Sequence, residues 1–189
     1  MNEELVKGVT QEMYDFFHDR TKRHIKLVRK YCDKIAKEFP EYSSLRLRKA
    51  THDRSKYQHP EVIPYVWVTW KYKCKAENVD FDVPDHITEM MHEATTHHVT
   101  QNSHHPEAHS PTTDNLINKE DRDKPPSSII DATTMPELDI AEMVADWCAM
   151  SEEKGGTPRE WAERNVNVRW QFTDEQVDII FKIIDKVWE

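Results

Sequence analysis

Glycine, cysteine and long apolar runs are scarce in this sequence, and each scarcity excludes a class of protein. Only three glycines occur among 189 residues and helix formers dominate, which argues against a β-sandwich or a dinucleotide-binding α/β fold. Three cysteines, odd in number and far apart, do not form a disulfide framework and are typical of reduced thiols in a cytosolic protein. No apolar run approaches the ~20 residues of a membrane span, so we expect no membrane partner.

The composition that remains is that of a soluble globular domain with an acidic balance. Hydrophobic residues make up 37% and charged residues 32% of the chain, and its length suits one domain with a real core. The net charge of −9 disfavours duplex nucleic acid as a partner. A small anionic substrate remains compatible with this charge if metal ions supply the positive charge, and homo-oligomers are left open.

Apolar residues recur at helical spacing through most of the chain, and the sequence therefore predicts an all-α bundle. Pro40 ends one predicted helix, Gly155-Gly156 ends another, and residues 134–137 and 173–176 resemble capping boxes. The predicted helices cover residues 3–18, 19–39, 43–56, 60–75, 84–102, 134–154 and 158–165, followed by a terminal helix that opens at residue 173. The aromatic helix at 60–75 is interpreted as a packing element, with a base-stacking surface as the alternative.

Residues 103–134 interrupt the helical pattern with prolines, hydroxyl side chains and few apolar residues. Loops longer than ~15 residues in compact domains are usually functional or disordered. We expect this stretch to be a long loop that serves as a lid over a site.

The most informative stretch is Thr51-His52-Asp53-Arg54-Ser55-Lys56. An imidazole beside a carboxylate offers two ligands for one divalent cation, and Lys56 would follow Asp53 by about one helical turn. Such dipeptides are common by chance, but His24 lies on an apolar helix face and Asp146 lies mid-helix beside Trp147. The alternative for His24 is a hydrogen-bonded histidine at the edge of the core.

A histidine cluster follows at residues 97–109, and it is the densest chemical segment of the chain. His98 and Asn102 fall on one helical face, and Pro106 fixes the turn after His104 and His105. We interpret this cluster as a source of ligands, with a solvated histidine-rich loop as the alternative.

Three stretches resemble the HD-domain superfamily of metal-dependent phosphohydrolases, and in particular a family of small HD-like proteins of phage and bacteria. They are His52 to Lys56, His98 to Glu107, and Glu142 to Trp147. The resemblance implies a cytoplasmic protein with one or two divalent metals, such as Mn, Fe, Co, Ni, Zn or Mg. It implies His24, His52, Asp53 and Asp146 as primary metal ligands, and His98 with His104 or His105 at a second metal.

The resemblance also implies a reaction, which is hydrolysis of a nucleotide or related phosphate ester by metal-activated water. We expect Asp53 to bind metal and orient the nucleophile, and Glu107 or Glu142 to act as general base. We expect Lys56, Asn102 and His105 to contact the substrate. The His-His-Pro-Glu segment departs from the usual second-metal signature. A di-iron oxygenase, or a nucleotide- or partner-binding module with a structural metal, are the alternatives.

Overall fold

The computed structural model describes residues 8–119 and 124–188, and this part of the chain is all-α as predicted. Its helices are α1 Gln11–Glu38, α2 Leu45–Arg48, α3 Val62–Ala76, α4 Asp85–Gln101, α5 Glu137–Lys154, α6 Pro158–Asn165 and α7 Asp174–Val187. Short 3-10 helices occupy Pro40–Tyr42, Arg54–Tyr57 and Pro106–His109. Two short strands, β1 Ile130–Asp131 and β2 Trp170–Gln171, pair in parallel with Ile130 opposite Trp170.

The described residues form two compact units, each assembled from separate stretches of chain. The first unit comprises 8–23 and 53–98, and the second comprises 24–52, 99–119 and 124–188. The boundary falls at three peptide bonds, between Arg23 and His24, between His52 and Asp53, and between His98 and Val99. The single-domain expectation stays a prediction.

Helix α1 is one continuous helix, so the prediction of two helices that meet near residue 18 is wrong. Buried residues continue at helical spacing through the expected break, at Phe17, Thr21, His24 and Val28. Neither glycine nor proline interrupts α1, which ends two residues before Pro40. Residues 3–7 of the predicted first helix lie outside the described residues.

The predicted helix at residues 43–56 is also wrong, because α2 ends at Arg48 and a turn follows. Asp53 has a φ of 57°, in the left-handed region, which an α-helix cannot contain but which aspartate tolerates better than most residues. A 3-10 helix begins at the next residue, and the Lys56 N–H donates to the Asp53 carbonyl at 3.2 Å. Asp53 and Lys56 are therefore joined by a tight turn.

The first unit has its own apolar core, built on α3 and the flanking parts of α1 and α4. The core residues are Met13, Phe17, Ile63, Tyr65, Val66, Trp67, Ile87 and Ala94. Tyr65 and Trp67 are buried, so the interpretation of the aromatic helix as a packing element is confirmed. Helix α4 agrees closely with the predicted range after Pro84.

The second unit is built on α5, which packs against α6 and α7. Ile140, Met143 and Val144 of α5 belong to its apolar core with Ile180 and Ile184 of α7. The capping box predicted at α7 is confirmed, since the Thr173 hydroxyl accepts from the Gln176 N–H at 3.2 Å. The box predicted at α5 is wrong, because Glu137 instead accepts a hydrogen bond from the Tyr42 hydroxyl at 2.9 Å.

The described part of 103–134 is more ordered than the predicted loop. Leu116 and Ile117 are buried in the core of the second unit, and Pro106–His109 and β1 add regular structure. Residues 120–123 of this stretch lie outside the described residues. A lid role stays a prediction.

The cysteines Cys32, Cys74 and Cys148 are free and buried, as expected for reduced thiols. Burial raises the pKa of the Cys148 thiol to about 12. Within 8–119 and 124–188, none of the helices has the length and apolar character that a bilayer crossing requires.

Candidate metal centre

His24 and Asp146 meet in the second unit, where α1 and α5 supply them. The His24 Nε2 atom lies 3.0 Å from Asp146 Oδ1, and His24 Nδ1 lies 3.7 Å from a Glu153 carboxylate oxygen. Burial opposes ionisation of Asp146, but the hydrogen bond from His24 and the nearby charges of His24, His52 and His104 hold its pKa well below the usual range. Asp146 is therefore an ionised carboxylate in a buried setting.

His52 is oriented by a carboxylate of the same unit. Its Nδ1 atom lies 2.9 Å from Glu142 Oε1, and Arg48 Nη2 lies 2.7 Å from the other oxygen of Glu142. Burial opposes ionisation of Glu142, yet the His52 hydrogen bond and the charges of His104, His52 and Arg48 lower its pKa. A carboxylate accepts, so Nδ1 donates and a neutral His52 carries its lone pair on Nε2.

Four histidine rings of the second unit form a row. The ring centroids of His24 and His52 are 5.9 Å apart, those of His52 and His104 are 4.2 Å apart, and those of His104 and His105 are 4.2 Å apart. His52, His104 and Glu142 each offer a ligand atom within 4.8 Å of the other two. These buried groups could hold a metal ion.

A separate cluster in the first unit contains Asp53, Lys56 and His98. The Lys56 ammonium lies 2.5 Å from Asp53 Oδ2, and His98 Nε2 lies 3.2 Å from Asp53 Oδ1. Lys56 also stands 5.4 Å from the centroid of the Tyr65 ring. The predicted proximity of Lys56 to Asp53 is therefore present, and Lys56 neutralises that carboxylate.

Glu61, which no sequence pattern pointed to, has a side chain with no exposed surface. It accepts hydrogen bonds from His97 Nδ1 at 2.8 Å, His98 Nδ1 at 2.9 Å and Ser55 Oγ at 2.9 Å. In sequence, an acid just after a proline is typical of a helix start and needs no other explanation. The histidines it contacts lie 36 and 37 residues away, and no local pattern could indicate them.

Arg48 and Asp139 were also missed as members of the site region. Asp139 lies in the first turn of α5, where an acidic residue is favourable without any other role, but it is buried and forms an ion pair with Arg48. The Ser103 hydroxyl donates to Asp139 at 2.9 Å and accepts from Arg48 at 2.8 Å. Arg48 thus links two buried carboxylates, Asp139 and Glu142.

Glu107, a predicted general base, has a buried partner. The Trp170 indole N–H donates to Glu107 Oε1 at 2.9 Å, which joins the Pro106–His109 helix to β2. Asn102 lies directly after α4, and its carbonyl accepts from the His105 N–H at 3.0 Å. The substrate-binding roles of Asn102 and His105 stay predictions.

Comparison with known proteins gives a family and no function. A family described as a family of unknown function (DUF5662) matches residues 13–186. No curated protein and no solved structure matched the chain.

Proposed function

This chain belongs to the DUF5662 family, and we propose that it is a metal-dependent phosphohydrolase that acts on a nucleotide or related phosphate ester. The observation that carries the proposal is the buried set of imidazoles and ionised carboxylates in the second unit. His24, His52 and His104 contribute imidazoles, and Asp146 and Glu142 contribute carboxylates. The resemblance to HD-domain phosphohydrolases supplies the reaction class.

The donor set suits a divalent transition metal. Imidazole and carboxylate together favour ions such as Mn, Fe, Co, Ni or Zn. Two ligands at ~2.1 Å from one ion lie ~3 Å apart, and His24 Nε2 and Asp146 Oδ1 are separated by 3.0 Å. We assign His24, His52 through Nε2, and Asp146 to the metal. The resemblance also predicts Asp53 as a metal ligand, and that role stays a prediction.

The charge balance also favours a bound cation. Asp139, Glu142 and Asp146 are carboxylates with side chains at most 17% exposed, and Arg48 is the cation that contacts the first two. Buried charges are paired or coordinate metals, so a divalent cation beside His24 and Asp146 would suit this group of carboxylates.

Each residue has a distinct task in this proposal. A bound divalent ion supplies Lewis-acid chemistry, which lowers the pKa of bound water and polarises a phosphoryl oxygen. Glu142 accepts from His52 and Arg48, so we assign it to orienting His52 rather than to accepting a proton. The Trp170 indole donates to Oε1 of Glu107, and Glu107 stays our candidate for the general base. Lys56 is the proposed phosphate contact.

The Lys56→Ala protein is expected to keep its metal. Its KM should rise roughly 10- to 100-fold, because the substrate loses one charge-assisted contact to phosphate. Metal is retained because removal of the ammonium leaves more negative charge at Asp53, 2.5 Å away. Metal analysis and steady-state kinetics measure the two effects. Lys75→Ala, at an exposed position of α3, is the matched control. Metal loss equal to that of Asp53→Ala would contradict this division of roles.

Metal analysis of the purified protein, followed by a nucleotide hydrolysis panel, tests the proposal. We expect bound divalent metal and phosphate release that stops on chelation and returns with added Mn²⁺. Bound iron with oxygen consumption and no phosphate release would favour the di-iron alternative. Tight metal, unfolding on chelation and no turnover would indicate a structural metal. A protein with no affinity for any divalent metal would overturn the phosphohydrolase proposal and both of these alternatives.

A further inference from the structure

Glu61 is a fully buried carboxylate that does not cap a helix with its side chain. It precedes α3 at the N-cap position, but its side chain makes no hydrogen bond to the end of that helix. It accepts instead from the side chains of His97, His98 and Ser55. Such a group must be fully hydrogen-bonded to remain charged in the interior, and three donors provide this.

The carboxylate of Glu61 decides which ring nitrogen can carry a proton. Burial opposes its ionisation, but the hydrogen bonds from His98, His97 and Ser55 outweigh burial and lower its pKa. An ionised carboxylate is an acceptor only, so the Nδ1 atoms of both histidines must be donors. In a neutral ring the lone pair is then on Nε2.

We infer that Glu61 is a positioning residue that fixes the protonated nitrogen and the ring orientation of His97 and His98. Glu61 does this through hydrogen bonds within the first unit. The consequence for metal binding, that His98 presents Nε2 as a ligand atom, rests on the proposed function.

The two adjacent histidines are not equivalent. The His98 side chain is 3% exposed, and its Nε2 faces Asp53 Oδ1 at 3.2 Å. The His97 side chain is 39% exposed. His98 therefore has Nδ1 next to Glu61 and Nε2 next to Asp53 Oδ1, where a cation bound by both Nε2 and Oδ1 would be favourable. We assign His98 rather than His97 as the candidate ligand.

The two carboxylate oxygens of Glu61 accept from different donors. Oε2 accepts from Ser55 and His98, whereas Oε1 accepts from His97. In a Glu61→Gln protein the amide oxygen should occupy the Oε2 position, since two donors need it there. The amide N–H₂ group then faces His97, whose Nδ1 must accept and whose proton must move to Nε2.

Nitrogen-15 NMR of the histidine side chains tests this at about pH 8.5, above the ordinary imidazole pKa of ~6.5. In the metal-free wild-type protein, Nδ1 should carry a proton in both His97 and His98. In Glu61→Gln, His97 should change to the Nε2–H tautomer while His98 keeps its Nδ1 proton. A wild-type protein in which either ring carries its only proton on Nε2 would overturn the inference, even if the variant fails to fold.

Two control variants separate positioning from a general structural role. Ser55→Ala removes one donor to Oε2, so it should lower the melting temperature without changing either tautomer. Glu89→Gln makes the same chemical change at an exposed position of α4 and should change neither the tautomer of His97 nor that of His98. If Glu61→Gln folds with both tautomers unchanged, Glu61 has no positioning role. Because the measurement uses metal-free protein, failure of the phosphohydrolase proposal would leave its result standing.

Discussion

His52→Ala and Asp146→Asn proteins are expected to purify with little divalent metal and to lose at least about 100-fold of any phosphohydrolase activity. Changes to groups that only orient ligands cost 10- to 100-fold in metal affinity or activity, so removal of a ligand should cost more. His52→Ala deletes an imidazole held by Glu142 at 2.9 Å. Asp146→Asn keeps the shape of the side chain but removes its charge beside His24. Elemental analysis and phosphate release measure both effects.

His86→Ala is the matched control, because His86 is an exposed histidine of α4. It should keep wild-type metal content and activity. Asp146→Asn also guards against loss of fold, since an amide oxygen can still accept from His24 Nε2. Full metal content in both His52→Ala and Asp146→Asn would show that the metal lies elsewhere.

The later helices could be predicted from sequence because their signals are local. Helix α6 begins at Pro158 as predicted, α5 ends at Lys154 before Gly155, and Thr173 caps α7. Proline, glycine and capping residues act within one turn of the helix end, so no distant contact is needed to interpret them.

The errors near the N-terminus arose where no such signal settles the outcome. The buried residues of α1 keep helical spacing through residue 24, and two helices that meet at residue 18 would show the same local spacing. The end of α2 depends on a left-handed Asp53, and aspartate is compatible with both helix and turn. Distant contacts such as the bonds from Arg29 to the carbonyls of Lys49 and Ala50 hold this turn, and sequence patterns do not reveal them.

The candidate site likewise contains residues that sequence could identify and contacts that it could not. His24 and Asp146 could be selected because each is a polar residue beside an apolar helix stripe, and both are found together in the second unit. The orienting contacts could not be predicted, because Glu142 and His52 are 90 residues apart and Glu61 is 36 residues from His97. Glu142 was predicted from sequence as a general base and not as the partner of His52. Sequence identified groups that bear the chemistry, whereas the groups that hold them depend on tertiary structure.

Arg48→Ala is expected to lower the free energy of unfolding by about 2–3 kcal/mol. Removal of one partner from a buried ion pair typically costs ~3–5 kcal/mol, because the other charge stays buried without compensation. Arg48 contacts Asp139 and Glu142, whose side chains are 8% and 5% exposed, but Arg48 itself is 29% exposed, and solvent reduces the effect. Urea denaturation with an unchanged m-value would measure the loss as a shift of the midpoint.

Arg46→Ala is the matched control, because Arg46 lies on the same short helix and is exposed. Surface substitutions of this kind usually stay within about 0.5 kcal/mol. If uncompensated carboxylates cause the loss, adding Asp139→Asn to Arg48→Ala should restore part of the stability, since one buried charge is removed. In the wild-type background Asp139→Asn should destabilise, because Arg48 loses a partner. A double variant less stable than Arg48→Ala would show that packing of the arginine stem, rather than charge, carries the effect.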